Sequence, residues 1–208
     1  MIALPPIARF AARSERAVAA MRCELCTKPL GEVHRHLVEV GGRVEVGAHS
    51  VICACTACAI LFVQATGAAR YRTVPDRVRI DTGFSLRPDQ LGIPVGLAFC
   101  FRDSTVDEVI ACYPGPAGIV EAELVPEAWE RLAAATRLTA LLEPDVEALL
   151  VRSLRGSTSS SCYLVPITTA YELAARLRKT WSGFSGGDAA ERELAAFFAE
   201  LDARGAPA

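Results

Sequence analysis

Residues 23–58 read CELCTKPLGEVHRHLVEVGGRVEVGAHSVICACTAC. Five of the eight cysteines of the chain fall in this stretch: Cys23, Cys26, Cys53, Cys55 and Cys58. Two C-x-x-C pairs, Cys23/Cys26 and Cys55/Cys58, bracket a segment with strand-like alternation. A C-x-x-C turn aims two thiolates at one point. Two such turns brought together by a hairpin supply the four sulfurs of a structural zinc site, at spacings close to those of a zinc ribbon. The natural metal ligands are therefore Cys23, Cys26, Cys55 and Cys58, with Zn2+ as the ion. Cys53 is a further candidate, because residues 53 and 55 of a strand face the same side. It would replace one ligand or help to hold an iron–sulfur cluster, which also takes four thiolates. His34 and His36 share a strand face and are weaker candidates, since they would complete a mixed site with one of the knuckles. His49 reads as a strand residue.

Outward from the cysteines, Pro29 and Gly31 turn the chain, and residues 34–40 alternate as a strand. Gly41-Gly42 reads as a two-residue hairpin turn, because both central positions of a type I′ turn need positive φ. Residues 43–46 and 49–53 would complete a three-stranded sheet closed by metal, with Gly47 allowing a bulge or break. Such a module is too small to bury a core of its own. Ala59 to Val63 is apolar and would dock it onto the remainder of the chain. Gln64 to Ala69 is the best linker. The expected organisation is a leader at 1–21, a zinc-ribbon-like metal module at 22–63 and an α+β domain at 70–208.

The second part opens with short strands at 71–74 and 77–81. Residues 95–101 read as a central strand, with partners at 108–113 and 118–124, giving an antiparallel sheet of three to five strands. Helices come next. Pro126 suits the first position of one, and Pro144 of another with Val146, Leu149, Leu150 and Leu154 as its buried stripe and Gly156 as its cap. Cys162 to Val165 is a short strand. Thr169-x-x-Glu172 and Asp188-x-x-Glu191 look like helix starts. Leu194, Phe197, Phe198 and Leu201 give the strongest helical periodicity in the chain. Strands followed by helices without strict alternation predict α+β.

The bulk composition excludes several classes. The chain has 208 residues, 51% of them hydrophobic, and a formal net charge of -2. Nucleic acid and anionic membranes demand a basic surface, so neither is an expected partner. No apolar run approaches the roughly 20 residues of a membrane span. Arg9, Arg13, Glu15 and Arg16 interrupt any export signal, which leaves a short amphipathic helix or a frayed leader and predicts a cytoplasmic, reducing location. Clustered cysteines there favour metal over disulfides. The isolated Cys100, Cys112 and Cys162 read as small buried hydrophobes. No histidine follows residue 49, so a Ser/His/Asp or Cys/His hydrolase would need its base in or beside the metal module. Ser182 to Gly187 lacks the Lys-Ser/Thr of a phosphate-binding loop. Asp103, Asp107 and Glu108 read as a solvated turn. The residues therefore point to a non-catalytic protein that binds a partner protein, with an iron–sulfur redox or cluster-handling protein using the same cysteines as the alternative.

Cys23-Glu-Leu-Cys26, His34-Arg-His-Leu37, Cys53-Ala-Cys-Thr-Ala-Cys58, Tyr71-Arg72, Val74-Pro-Asp-Arg77, Leu91-Gly-Ile-Pro-Val-Gly-Leu-Ala-Phe99, Tyr113-Pro114, Glu143-Pro-Asp-Val-Glu-Ala-Leu-Leu150, Tyr163-Leu-Val-Pro166 and Trp181 together carry a resemblance. The chain resembles an uncharacterised, mainly actinobacterial protein family often encoded beside the structural and maturation genes of NiFe hydrogenases. The resemblance implies no activity. It implies a cytoplasmic bacterial accessory protein whose partner is a hydrogenase subunit or maturation factor. Against that family the segment between His36 and Cys53 is long, with Gly41-Gly42 as the extra part.

Overall fold

In the computed structural model the cysteine-bearing segment builds a sheet of its own. The residues described are 21–45, 48–62, 70–86, 88–92, 96–115, 118–122, 124–153, 160–183 and 186–208. The leader up to residue 20, Gly47, the linker 64–69, Leu154 and the expected cap Gly156 lie outside them.

Strand β1 (Arg35–Glu45) lies between β2 (Ala48–Ala54) and β3 (Tyr71–Thr73), antiparallel to both. The β1–β2 pairing runs out to Glu45↔Ala48, so the hairpin does not turn at Gly41-Gly42. Those glycines sit inside β1, where the register jumps between Glu39↔Ser50 and Arg43↔His49. Gly41 has φ 75°, and a residue without Cβ takes that value freely, so the pair makes a bulge rather than the hairpin turn. The third strand also differs from expectation. It is 71–73, drawn from beyond the linker, while residues 79–81 go to another sheet.

That second sheet has seven strands in the order β10-β4-β9-β8-β5-β6-β7. They are β4 (Arg79–Asp81), β5 (Leu97–Asp103), β6 (Glu108–Gly115), β7 (Gly118–Ala122), β8 (Glu147–Ser153), β9 (Ser160–Pro166) and β10 (Ala206–Pro207). All pairs are antiparallel except β10 with β4. The fold is α+β. Strand β8 replaces the helix expected after Pro144. Its Ala148 and Leu150 face one core while Leu149 and Val151 face the other. A strand covered on both faces reads as a continuous apolar run, and spacing alone does not separate that from a helix.

One face of this sheet, with Phe99, Phe101, Leu150, Tyr163 and Val165, packs on α4 (Ile167–Thr180) and α5 (Gly187–Arg204). Phe197, Phe198 and Leu201 of α5 are buried there, and Leu194 packs at the margin, as the periodicity predicts. The opposite face, with Ala98, Cys100, Leu149, Val151, Cys162 and Leu164, packs on α2 (Pro126–Ala135) and α3 (Leu138–Leu141). Cys100, Cys112 and Cys162 are fully buried, as expected of small hydrophobes, and burial pushes the Cys100 thiol up to about 12. Neither Thr169 nor Asp188 caps its helix: α4 begins after Pro166 and α5 after Gly186, without a side-chain cap.

The small sheet joins the body through β1 and β3. Val38 enters the main core, while its neighbour Leu37 enters a separate core with Met21, Cys23, Leu30, Cys53, Ala54 and Ala59. Arg72 of β3 donates from Nη1 to Pro144 O at 2.5 Å and pairs with Asp145 at 3.5 Å. Asp145 in turn accepts from Ser104 N–H at 2.8 Å and Ser104 Oγ–H at 2.7 Å. Beside it, Arg77 donates to both carboxylate oxygens of Glu147, at 2.6 and 2.7 Å. Glu147 is fully buried, and its charge is carried by that fork.

Candidate metal centre

Cys23 and Cys26 lie on a tight loop before β1. Cys23 N–H donates to Lys28 O and Thr27 N–H to Cys23 O, both at 2.8 Å. Thr27 takes φ 61°, so the loop is bent hard enough to return both sulfurs to one side. Cys55 and Cys58 come from the far end of β2. The strand ends at Ala54, Cys55 is the cap residue of α1 (Thr56–Ile60), and Cys58 lies one turn on. The second knuckle is thus a strand-to-helix turn. Thr73 of β3 steadies it, donating from Oγ1 to Ala59 O at 2.7 Å.

Two contacts lock the first knuckle onto β2. Glu24 N–H donates to Cys53 O at 2.9 Å, and Cys53 N–H donates to Glu24 Oε1 at 2.8 Å. Together with the β1–β2 register they bring Cys23, Cys26, Cys55 and Cys58 into one group, all four sulfurs lying within 4.8 Å of one another. Cys26 Sγ and Cys55 Sγ are 3.7 Å apart. That is far beyond a disulfide of about 2.05 Å. It matches the edge of about 3.8 Å that zinc–sulfur bonds of about 2.3 Å give in a tetrahedron. The four cysteines could hold a metal ion, and their geometry fits a tetrathiolate site.

The electrostatics of the group favour a cation. Burial pushes the Cys23 thiol up, but backbone hydrogen bonds with Cys55, Cys26 and Leu25 bring it down to about 6. Hydrogen bonding to the Cys58 backbone lowers Cys55. Cys58 is pushed up to about 12 by the Cys26 and Cys55 side chains, then by burial. Thiols this close resist ionising together unless a positive ion shares the site.

Cys53 is not among the four. Its sulfur groups instead with His34 and His36, all three ligand atoms lying within 4.8 Å of one another. His36 and Cys53 are direct partners across β1 and β2, and the two histidine rings lie 4.7 Å apart. Sequence reasoning treats all three as additions to the cysteine site. It gives no sign of Glu24 as a clamp on Cys53, or of the Arg72–Asp145 and Arg77–Glu147 pairs, whose partners are about seventy residues away in the chain.

Compared with known families, residues 22–205 match a family of unknown function, DUF5947. The chain belongs to that family. The match takes in both cysteine pairs, the two histidines and the seven-stranded sheet up to Gly205. No curated protein and no solved structure matches the chain. Within this family member, Cys26 is exposed and Cys55 and Cys58 are half-buried, so the four-cysteine group lies near the surface. Leu25, Ile60 and Leu61 flank it, with 39, 64 and 75% of their surfaces exposed. No helix among the described residues is long and apolar enough to cross a membrane. A cleft lined by Asp81, Thr136, Arg137 and Thr139 has Asp81 as its carboxylate side chain, and that carboxylate accepts from Thr136 Oγ1–H at 2.7 Å.

Proposed function

We propose that this protein is a non-catalytic metal-binding accessory protein, with a structural zinc ion held by Cys23, Cys26, Cys55 and Cys58. The observation that carries the reading is the convergence of four sulfurs, with Cys26 and Cys55 3.7 Å apart. Zinc suits it because a closed tetrahedron of thiolates needs no open position and no redox change. The module is of the zinc-ribbon kind. The ion would reinforce the small core of Met21, Leu30, Leu37, Ala54 and Ala59, and would fix Leu25, Ile60 and Leu61 as a rigid apolar rim. That rim supports a protein partner. The resemblance to a family encoded beside hydrogenase genes points to a subunit or maturation factor of a bacterial NiFe hydrogenase, in the cytoplasm.

An iron–sulfur cluster would use the same four thiolates. The fifth cysteine that favours it is grouped with the histidines instead, so zinc is the better account. Two experiments test the reading. Protein purified without oxygen should contain zinc and show no visible absorbance; iron with sulfide would overturn the zinc assignment. Deletion in a hydrogenase-bearing host should lower hydrogenase activity, and Ile60→Asp with Leu61→Asp should fail to restore it while keeping the metal. Unchanged activity and processing in the deletion strain would remove the hydrogenase role.

A further inference from the structure

We propose that His34, His36 and Cys53 form a second metal site, separate from the four cysteines, for a borderline divalent ion of the zinc class. The site has two imidazole nitrogens and one thiolate, and so leaves a fourth coordination position open. Strand geometry builds it. His34 and His36 are two residues apart and project to one side of the chain where it enters β1, and Cys53 is the cross-strand partner of His36 on β2. One ring nitrogen of each histidine and the Cys53 sulfur lie within 4.8 Å of one another.

The tautomer of His34 points to a ligand. Its Nδ1–H donates to two backbone carbonyls, Gly31 O at 3.1 Å and Glu32 O at 3.2 Å. Carbonyls only accept, so the proton is on Nδ1, and in the neutral ring Nε2 carries a bare lone pair. That Nε2 is buried and has no hydrogen-bond partner. A buried acceptor without a partner is rare and needs an explanation. A ring oriented by Nδ1–H to a carbonyl, with Nε2 presented inward, is the arrangement of a metal-bound histidine. Cys53 is 2% exposed, and Glu24 holds its backbone on both sides, so the third ligand is fixed as well.

The donor set decides the ion class. Imidazole and thiolate together suit borderline ions such as zinc and exclude magnesium and calcium, which take oxygen. Three protein ligands leave room for water or a donor atom from another molecule, as closed tetrathiolate sites do not. The chain would thus carry one ion that shapes the fold and one that can exchange a ligand. The inference rests on the cysteine reading only in counting the other ion.

The test is native mass spectrometry of the full chain, reconstituted without oxygen with zinc alone. Wild type should bind two zinc ions, and both His34→Ala/His36→Ala and Cys53→Ser should bind one. X-ray absorption of unsubstituted protein provides a check that needs no variant: imidazole scattering should accompany sulfur. One zinc in wild type and one in the histidine variant, with sulfur scattering alone, would overturn the second site and leave the first. One zinc in wild type and none in the histidine variant would overturn the cysteine reading and leave this site as the metal centre. Two zinc ions in the histidine variant would also overturn the inference.

Discussion

Cys55 and Cys53 are two residues apart, yet the structure gives them different work. Cys55 Sγ is 3.7 Å from Cys26 Sγ, whereas Cys53 stands with His34 and His36. Cys55→Ser should therefore lose the structural ion and the order of the small sheet. Cys53→Ser should keep that ion and lower thermal stability far less. Parallel metal analysis and melting curves check this; equal loss in both variants would merge the two sites. Glu24 is the residue that the sequence hides best. Its side chain accepts from Cys53 N–H while its own N–H donates to Cys53 O, so Glu24→Ala leaves a buried amide unpaired. The expected cost is about 1–3 kcal/mol in urea denaturation. The grouping of Cys23, Cys26, Cys55 and Cys58 is legible because C-x-x-C is local chemistry. The grouping of His36 with Cys53 is not, because it depends on where the hairpin turns. A turn at Gly41-Gly42 would set His36 opposite Gly47; the bulge in β1 sets it opposite Cys53.

Among the elements, β5 is legible as a short apolar run although both its faces are covered, and a helix is legible where one face is buried and the other is not. The stripe of Phe197, Phe198 and Leu201 on α5 is of that kind. The proline start of α2 is legible for a local reason, the fixed φ of its first residue. Strand β8 is illegible as a strand because Ala148 to Val151 feed two cores in alternation. Its entry is held by charge. Arg77 forks onto Glu147, and hydrogen bonding to that carboxylate raises the arginine further from neutrality. Arg77→Ala would strand a fully buried carboxylate. The expected loss is about 3 kcal/mol, because an uncompensated buried charge costs more than the pair contributes. Arg77→Lys should recover only part of it, since an ammonium does not reproduce the two parallel bonds. Chemical denaturation measures both; a change near zero in Arg77→Ala would show that water already screens Glu147.

The molecule has a seven-stranded sheet with a core on each face, one of which takes in Val38 of β1, and a small sheet whose separate core is mainly cysteine, leucine, alanine and methionine. On the proposed reading the small sheet depends on its ion, whereas the large sheet is held by the cores on its two faces. Removing metal with a chelator should therefore release amide protection in β1 and β2 and spare β5, β8 and β9, as hydrogen exchange would read strand by strand. Uniform loss of protection would mean a single cooperative unit. In the proposed function both the small sheet's stability and its apolar rim depend on the tetrathiolate ion. Metal analysis with an absorption spectrum, on protein purified without oxygen and with wild type beside Cys55→Ser, tests that ion directly. Zinc and no visible band are expected in the wild type, with zinc reduced in the variant. Iron with a broad visible band, or zinc content untouched by Cys55→Ser, would contradict the assignment.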